Sequence, residues 1–155
     1  MTEPTIKHAT FEIERVYEGV PVARVWTAWT VADEKRRWWG SGNLSADNHD
    51  LDFRIGGLEH VTDYAPDGTK YTLEAHYCDI VEGERFVYTY EMSRNDARMS
   101  VSVATVVLVP EGDGTRLTLT EQGVFLDGLD TPADREHGTR AVVESLAKAL
   151  AQVEA

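Results

Sequence analysis

Residues 86–92 read FVYTYEM, and this stretch decides the fold. Every second side chain is large and aromatic or carries a thioether, in the order Phe86, Tyr88, Tyr90 and Met92, and smaller or charged side chains stand between them. A period of two residues is typical of a β-strand with one buried face. The aromatic face is therefore expected to point inward, against a second layer of structure that covers it.

Tight turns on the C-terminal side of this strand predict further hairpins. Residues 98–109 and 116–121 each read as strands, and the sequence EGDG at 111–114 separates them. Glycine and aspartate suit such turns because they tolerate the backbone angles that a short connection requires. Strands joined so closely are expected to pair antiparallel.

The N-terminal side repeats the pattern. LDFRI at 51–55 is expected to be a strand that buries its first, third and fifth side chains, and two glycines turn it into LEHVTDY at 58–64. The sequence APDG at 65–68 then forms a turn, with proline and glycine in the positions that such turns favour. It leads into a strand over 70–81, whose inward phase the sequence leaves open.

One more strand and two short helices precede this series. TFEIERVY at 10–17 alternates as a half-buried strand does. Apolar side chains at three- and four-residue spacing then predict a helix over 22–30, with Pro21 at its first position. A second short helix is expected from Asp33 to the glycine at 40, with a charged face in solvent.

A long amphipathic helix ends the chain. Thr131 is the expected N-cap and Pro132 the first helical residue, and one apolar stripe includes Leu146 and Leu150. Seven antiparallel strands and one such helix bury their apolar faces best when the sheet curves around the helix. The predicted fold is therefore α+β, a single domain over residues 1–155 with its core at about 10–153 and a cavity where sheet and helix diverge.

Composition excludes several classes of partner. The 155 residues carry 15 Lys and Arg against 27 Asp and Glu, a formal net charge of −12. Nucleic acids and anionic membranes bind basic surfaces, so neither is an expected partner. No apolar stretch approaches the ~20 residues of a membrane helix. With one cysteine and no recognisable signal peptide, the expected location is the cytoplasm.

Aromatic, thioether and polar side chains on the predicted inner faces suggest a binding site. Tyrosine-rich walls are typical of sites for amphipathic aromatic or lipid-like molecules. A solidly filled core without a cavity is the simpler alternative. The candidate ligand-binding residues are Trp38, Trp39, Phe53, His60, Tyr64, Tyr71, Tyr88, Tyr90, Met92, Met99, Glu121, Phe125 and His137.

Two of these candidates are polar anchors. Glu121 follows Leu117 and Leu119 on the inward phase of its strand, so it could act as general acid or base or hold a polar ligand group. A strand-end glutamate turned to solvent is the alternative. His60 is in phase with Leu58 and is expected to point into the cavity, although a histidine with a structural role is the more common case. No catalytic residue is assigned.

Metal and thiol chemistry find no support in the sequence. None of the five histidines has the spacing of a metal site, so neither a metal nor a cofactor is expected. Cys78 and His76 lie two residues apart on one strand face, which separates their side chains by about 6–7 Å. An inert core cysteine is therefore expected. The charge run at 33–37 and the acidic residues of the turns, Asp130 and Asp134 among them, are interpreted as solvated surface.

The chain resembles the START-like (SRPBCC, helix-grip) superfamily, and within it the bacterial proteins similar to the C-terminal domain of the Hsp90 ATPase activator. The resemblance covers about residues 11–150 and rests on these segments in order: VWTAWT at 25–30, WWG at 38–40, DFRIGG at 52–57, PDG at 66–68, DIV at 79–81, ERFVYTYE at 84–91 and GTRLTLT at 114–120. Many relatives carry Gly-Trp early in the last helix, where this chain has Gly138 and Thr139, so a different cavity lid is expected.

The resemblance implies two functions, and the sequence leaves both open. The first is binding of a small hydrophobic or amphipathic molecule in the cavity, with or without activity of the polyketide cyclase type. The second is a protein-interaction module resembling the Hsp90 activator domain, a co-chaperone or stress-related protein with a chaperone as partner. Homodimerisation through an exposed sheet edge is also left open.

Overall fold

The computed structural model describes residues 4–40, 42 and 44–153. Its elements follow the predicted order of one strand, two short helices, six strands and a long helix. They are β1 (Ile6–Tyr17), α1 (Val22–Thr30), α2 (Ala32–Lys35), β2 (His49–Leu51), β3 (Leu58–Tyr64), β4 (Lys70–Val81), β5 (Arg85–Arg94), β6 (Ala97–Glu111), β7 (Gly114–Leu126) and α3 (Pro132–Val153).

The seven strands form one sheet in the order β1-β7-β6-β5-β4-β3-β2, and every neighbouring pair is antiparallel. Strand β1 pairs with β7, so the first strand of the chain lies beside the last. The curved sheet packs against α3 in a helix-grip arrangement, which confirms the predicted fold class. Among the described residues, no helix is long and apolar enough to cross a bilayer.

The N-terminus of α3 and its stripe of apolar side chains agree with the sequence prediction. The backbone N–H of Asp134 donates to Thr131 Oγ1 at 3.1 Å, so Thr131 caps the helix as expected. Leu146 and Leu150 are both fully buried against the sheet. The helix therefore begins where local capping chemistry places it and is held by its apolar stripe.

Aromatic rings fill the space beneath α1. Phe86 at the start of β5 contacts Trp26, Trp29 and Phe53, with ring centroids 5.4–5.7 Å apart. These edge-on and tilted contacts are the arrangements that aromatic pairs prefer. This end of the sheet is filled by these rings, and a cavity lies toward the Met92 end of β5 and the first turns of α3.

The predicted strand at 51–55 is wrong in its bounds. Strand β2 ends at Leu51, and the chain then turns, with the N–H of Arg54 donating to the carbonyl of Asp52 at 3.0 Å. Ile55 is 60% exposed. The turn depends on Gly57, because a Cβ there would collide with the carbonyl oxygen of Asp52. Close backbone contact thus overrides the alternation of these residues.

Cys78 is exposed, so its predicted place in the core is wrong. The pairing of β4 with β5 shifts register between Tyr77 and Asp79, which leaves Cys78 as an extra residue. Such a bulge interrupts the alternation of faces along a strand. The inward side chains before it are Leu73, Ala75 and Tyr77.

Candidate functional site

A cavity of about 230 Å³ lies between the sheet and the first half of α3. Strands β4, β5 and β7 supply its floor, α3 and the segment before it form one side, and residues that follow α2 close it. Its lining residues are Trp39, Gly40, Leu73, Tyr88, Tyr90, Met92, Leu119, Glu121, Asp130, Asp134, Arg135, Gly138, Thr139 and Val142. Apolar and aromatic side chains form most of this wall, and the charged ones are concentrated at the end near Arg135.

Glu121 and Tyr90 meet at the polar end of the cavity. The Tyr90 hydroxyl donates to Glu121 Oε1 at 2.7 Å, although β6 lies between their strands. Serine and alanine on the inward face of β6, at Ser102 and Ala104, stand next to these two residues in the sheet. These small side chains leave the space that lets Tyr90 and Glu121 contact each other.

Arg135, on the first turn of α3, completes this group. Its Nη1 donates to the Tyr90 hydroxyl at 2.9 Å, and its Nη2 donates to Ser100 Oγ and pairs with Asp130 Oδ2, both at 2.8 Å. Since a guanidinium only donates hydrogen bonds, the Tyr90 hydroxyl oxygen accepts a hydrogen bond from Arg135. The same hydroxyl then donates a hydrogen bond to Glu121. We call Glu121, Tyr90, Arg135, Ser100 and Asp130 the Glu121 cluster.

One oxygen of Glu121 remains without a hydrogen bond. Its Oε2 is buried, finds no hydrogen-bond partner among the described residues, and lies 3.6 Å from Arg135 Nη1. That distance permits charge attraction but not a good hydrogen bond. Burial raises the pKa of Glu121, and the Tyr90 hydrogen bond and the Arg135 charge only partly oppose this. The cavity thus contains a carboxyl group with free accepting capacity.

Both cavity tyrosines remain hydrogen-bond donors at neutral pH. Burial is the main cause that raises the pKa of Tyr88 and of Tyr90 above the usual value, and the neighbouring Glu121 raises both further. Burial alone would lower the pKa of Arg135, but the negative groups around it raise the pKa overall, so the guanidinium stays charged.

A second buried carboxylate lies outside the cavity. Glu59 on β3 is 2% exposed, and its Oε1 accepts from Lys35 Nζ at 2.8 Å and from the Tyr77 hydroxyl at 2.7 Å. Its Oε2 lies 2.8 Å from His49 Nε2. Arg36 Nε donates to His49 Nδ1 at 3.0 Å, so the ring carries its proton on Nε2 and donates it to Glu59. We call Lys35, His49, Glu59 and Tyr77 the Glu59 cluster.

The pKa of Glu59 is lowered, in contrast to that of Glu121, because both oxygens of Glu59 are hydrogen-bonded. Burial alone would raise the pKa of Glu59, but the Lys35 charge and three hydrogen bonds lower it to about 2. Lys35 is itself completely buried, with its Nζ 4.2 Å from the Trp39 ring. The prediction that the whole charge run at 33–37 is solvated is therefore wrong for Lys35.

The structure brings five of the thirteen candidate ligand-binding residues to the cavity. These are Trp39, Tyr88, Tyr90, Met92 and Glu121. Their role in binding stays a prediction, but their shared position does not depend on any ligand. The alternation in 86–92 and the inward phase of Glu121 were sufficient to identify four of them.

Four candidates pack elsewhere in the protein, three of them buried and Phe53 partly buried. Trp38 donates its ring N–H to the Ala28 carbonyl at 3.1 Å, and Phe53 packs against Tyr77 in the aromatic core. Phe125 lies beneath the Arg135 guanidinium, 5.3 Å from its ring centroid, and Met99 is also buried. None of the four lines the cavity, because each packs against protein groups instead.

The remaining four candidates lie on outer surfaces or beside the cavity. His60 and Tyr64 occupy the outward phase of β3, because Glu59 and Val61 take the inward phase, so the prediction that His60 points into the cavity is wrong. Tyr64 and Tyr71 line an adjoining groove of about 370 Å³ that shares Trp39 and Met92 with the cavity. His137 is exposed on α3.

Arg135, Asp130 and the Glu59 cluster were missed. Arg135 has a signal in the sequence, since it precedes Thr139, Val142 and Leu146 at the helical spacing of the inward stripe. Asp130, assigned to solvent, pairs with Arg135 instead. Within the described ranges, no three His, Cys, Asp or Glu side chains are grouped as a metal site.

Comparison with known families gives one match over most of the chain. The model described as "Activator of Hsp90 ATPase homolog 1-like protein" matches residues 19–152. That range includes every residue of both buried clusters. A comparison with curated protein sequences gave no match.

Solved structures similar to this chain share its fold. An uncharacterised protein from Rhizobium leguminosarum is 39% identical, with a TM-score of 0.91 and coverage of 97% of this chain and 99% of the other. Mll3558 from Rhizobium loti is 41% identical, with a TM-score of 0.86 and coverage of 94% and 99%. CV1439 from Chromobacterium violaceum, 24% identical with a TM-score of 0.73 and coverage of 91% and 96%, shares the fold.

Proposed function

The chain belongs to the family of activator of Hsp90 ATPase homolog 1-like proteins in the START-like superfamily, and on that premise we propose that it binds a small amphipathic ligand. The ligand is aromatic or lipid-like and occupies the cavity between the sheet and α3. One observation carries the proposal: the cavity has apolar walls, and its polar groups are concentrated at the end formed by the Glu121 cluster. Such a site orients a molecule that has one apolar body and one polar end.

The size of the cavity limits the ligand. At about 230 Å³ it is smaller than the ~300–1,000 Å³ typical of sites for drug-sized molecules. A body of two or three fused rings, or a short acyl chain, matches this space. The adjoining groove beyond Trp39 and Met92 gives a longer molecule somewhere to continue.

Thr139 provides a direct test, because it lines the cavity where many relatives are expected to carry tryptophan. Thr139→Trp fills the space, whereas His137→Trp places the same side chain on an exposed position of the same helix. Thermal unfolding is measured with naphthols, flavonoids and fatty acids, since a ligand that binds only the folded state raises the melting temperature. We expect a ligand-dependent rise for the wild type and for His137→Trp, and none for Thr139→Trp. No rise for the wild type with any compound would remove the proposal.

Turnover of the polyketide cyclase type would use the same end of the cavity. A buried carboxyl group with a raised pKa can exchange a proton with a bound carbonyl compound. Mass spectrometry of bound compounds after incubation separates turnover from simple binding. Conversion by the wild type and none by Glu121→Gln would assign the proton transfer to Glu121.

The family match favours a second candidate, a protein-interaction module that binds an Hsp90-type chaperone. A pull-down with the chaperone, in the presence and absence of nucleotide, tests it directly. Retention of the chaperone by both the wild type and Thr139→Trp would favour this function over ligand binding, because the substitution fills the cavity from inside.

A further inference from the structure

The polar end of the cavity contains a hydrogen-bonding position at Glu121 that the described residues leave unused. Glu121 is 3% exposed, and its Oε1 is occupied by the Tyr90 hydroxyl at 2.7 Å. Glu121 lines the cavity, and its buried Oε2 has no hydrogen-bond donor supplied by the described part of the chain. A buried acceptor without a partner is costly, so a donor brought by the ligand would be strongly favoured there.

Arg135 is poorly placed to bind an anionic ligand. Both of its terminal nitrogens already contact protein acceptors, Nη1 the Tyr90 hydroxyl and Nη2 both Ser100 and Asp130. A carboxylate ligand that approached both terminal nitrogens would have to compete with these protein acceptors for their N–H groups. The guanidinium is therefore part of the wall and is not an open anion site.

The charges that line the cavity also oppose an anion. Three carboxyl groups, those of Glu121, Asp130 and Asp134, line the cavity together with one guanidinium, that of Arg135. An ammonium group is opposed for a different reason, since Arg135 Nη1 lies 3.6 Å from the same Glu121 oxygen that it would approach. Like charges that close repel strongly where water is scarce.

We propose that this cavity selects a neutral ligand whose phenolic or alcoholic hydroxyl donates a hydrogen bond to Glu121 Oε2. The inference rests on the proposed function and narrows its ligand class to exclude free fatty acids and aryl carboxylates. The apolar part of the ligand then lies against Leu119, Met92 and Val142, away from the charged end.

Four probes with one two-ring skeleton test the proposal: a naphthol, its methyl ether, the corresponding naphthoic acid and naphthylmethylamine. Their affinities are measured by calorimetry on the intact protein. We expect the naphthol to bind about tenfold or more tighter than the methyl ether, because the ether leaves the buried Glu121 Oε2 without a donor. The acid and the amine should bind more weakly than the ether.

The possible outcomes distinguish the proposed selection of a hydroxyl group from the proposed binding of a ligand in the cavity. If none of the four probes binds, the proposed function fails for aromatic ligands of this size. If the ether or the acid binds as tightly as the naphthol, the cavity binds ligands but the hydroxyl selection is wrong.

Matched variants assign the selection to Glu121. Glu121→Gln should remove most of the preference for the naphthol over the ether, whereas Glu91→Gln, on the other face of β5, should retain it. Unchanged preference in Glu121→Gln would overturn the assignment. Should that variant not fold, the wild-type comparison of naphthol and ether still decides the proposal.

Discussion

The Glu59 and Glu121 clusters contain similar chemical groups, but they differ in how completely the glutamate is hydrogen-bonded. Each has a buried glutamate, a buried tyrosine that donates at 2.7 Å, and a basic residue from a helix. Glu59 is hydrogen-bonded through both oxygens, and its pKa falls to about 2. Glu121 is hydrogen-bonded through one oxygen only, and its pKa rises.

The difference indicates which cluster is structural and which one is available to a ligand. A carboxylate with complete pairing stabilises the fold but offers nothing to a ligand, because all its acceptors are occupied. A carboxylate that lacks one partner beside a cavity destabilises the fold slightly and can bind a donor. Trp39 touches both regions, because its ring lies 4.2 Å from the Lys35 ammonium and it also lines the cavity beside Glu121.

The largest expected effect comes from breaking the Glu59 cluster. Lys35→Met leaves a buried carboxylate without its charge partner, which should lower the free energy of unfolding by about 3–5 kcal/mol. Urea denaturation measures it. The control is Lys70→Met, which removes an ion pair with the exposed Asp96 and should leave stability nearly unchanged. A similar loss in both variants would contradict a structural role for the Glu59 cluster.

Lowering the pH should remove the stabilisation that Glu59 contributes through its pairing with Lys35. Because the folded pKa of Glu59 lies near 2 and its ordinary value is 4.5, its contribution is complete above about pH 4.5 and is lost as the pH falls toward about 2. Lys35→Met lacks the charge that lowers this pKa. The stability gap between wild type and Lys35→Met should therefore narrow over that interval in urea titrations. A gap that stays constant would place the acid sensitivity elsewhere.

Removing one hydroxyl from each cluster compares them directly. Tyr77→Phe should lower the free energy of unfolding by about 1.5–3 kcal/mol, since the lost hydrogen bond goes to a buried charge. Tyr90→Phe should lower it less, because the cavity beside Glu121 leaves room for water to replace the hydroxyl. Equal losses would mean that the two carboxylates are equally enclosed.

The smallest effect on stability is expected at Glu121. Glu121→Gln should change the free energy of unfolding by less than about 1 kcal/mol near pH 4.5. The pKa of Glu121 is raised in the folded protein. The contribution of Glu121 to the free energy of unfolding of the wild type therefore falls as the pH rises above 4.5 and passes the raised pKa. The variant should therefore become the more stable protein as the pH increases. Glu59→Gln, which leaves Lys35 unpaired, should be strongly destabilised at every pH above about 4.5.

Sequence periodicity determined most of the fold. The alternation in 86–92, the glycine-containing turns and the stripe of α3 are local patterns, and local backbone and burial preferences suffice to explain them. They also identified Tyr88, Tyr90 and Glu121 as inward residues that the structure places around one cavity. The helix start at Thr131 followed from capping chemistry alone.

The tertiary structure alone decided the polar contacts. The phase of β3 was misread because Leu58 and Tyr64 are apolar yet exposed, and the inward Glu59 is charged yet buried beside Lys35, 24 residues earlier. Arg135 reaches Tyr90 across 45 residues of sequence. Whether a buried charge is tolerated depends on its partner in space, and periodicity carries no information about partners so distant in the chain.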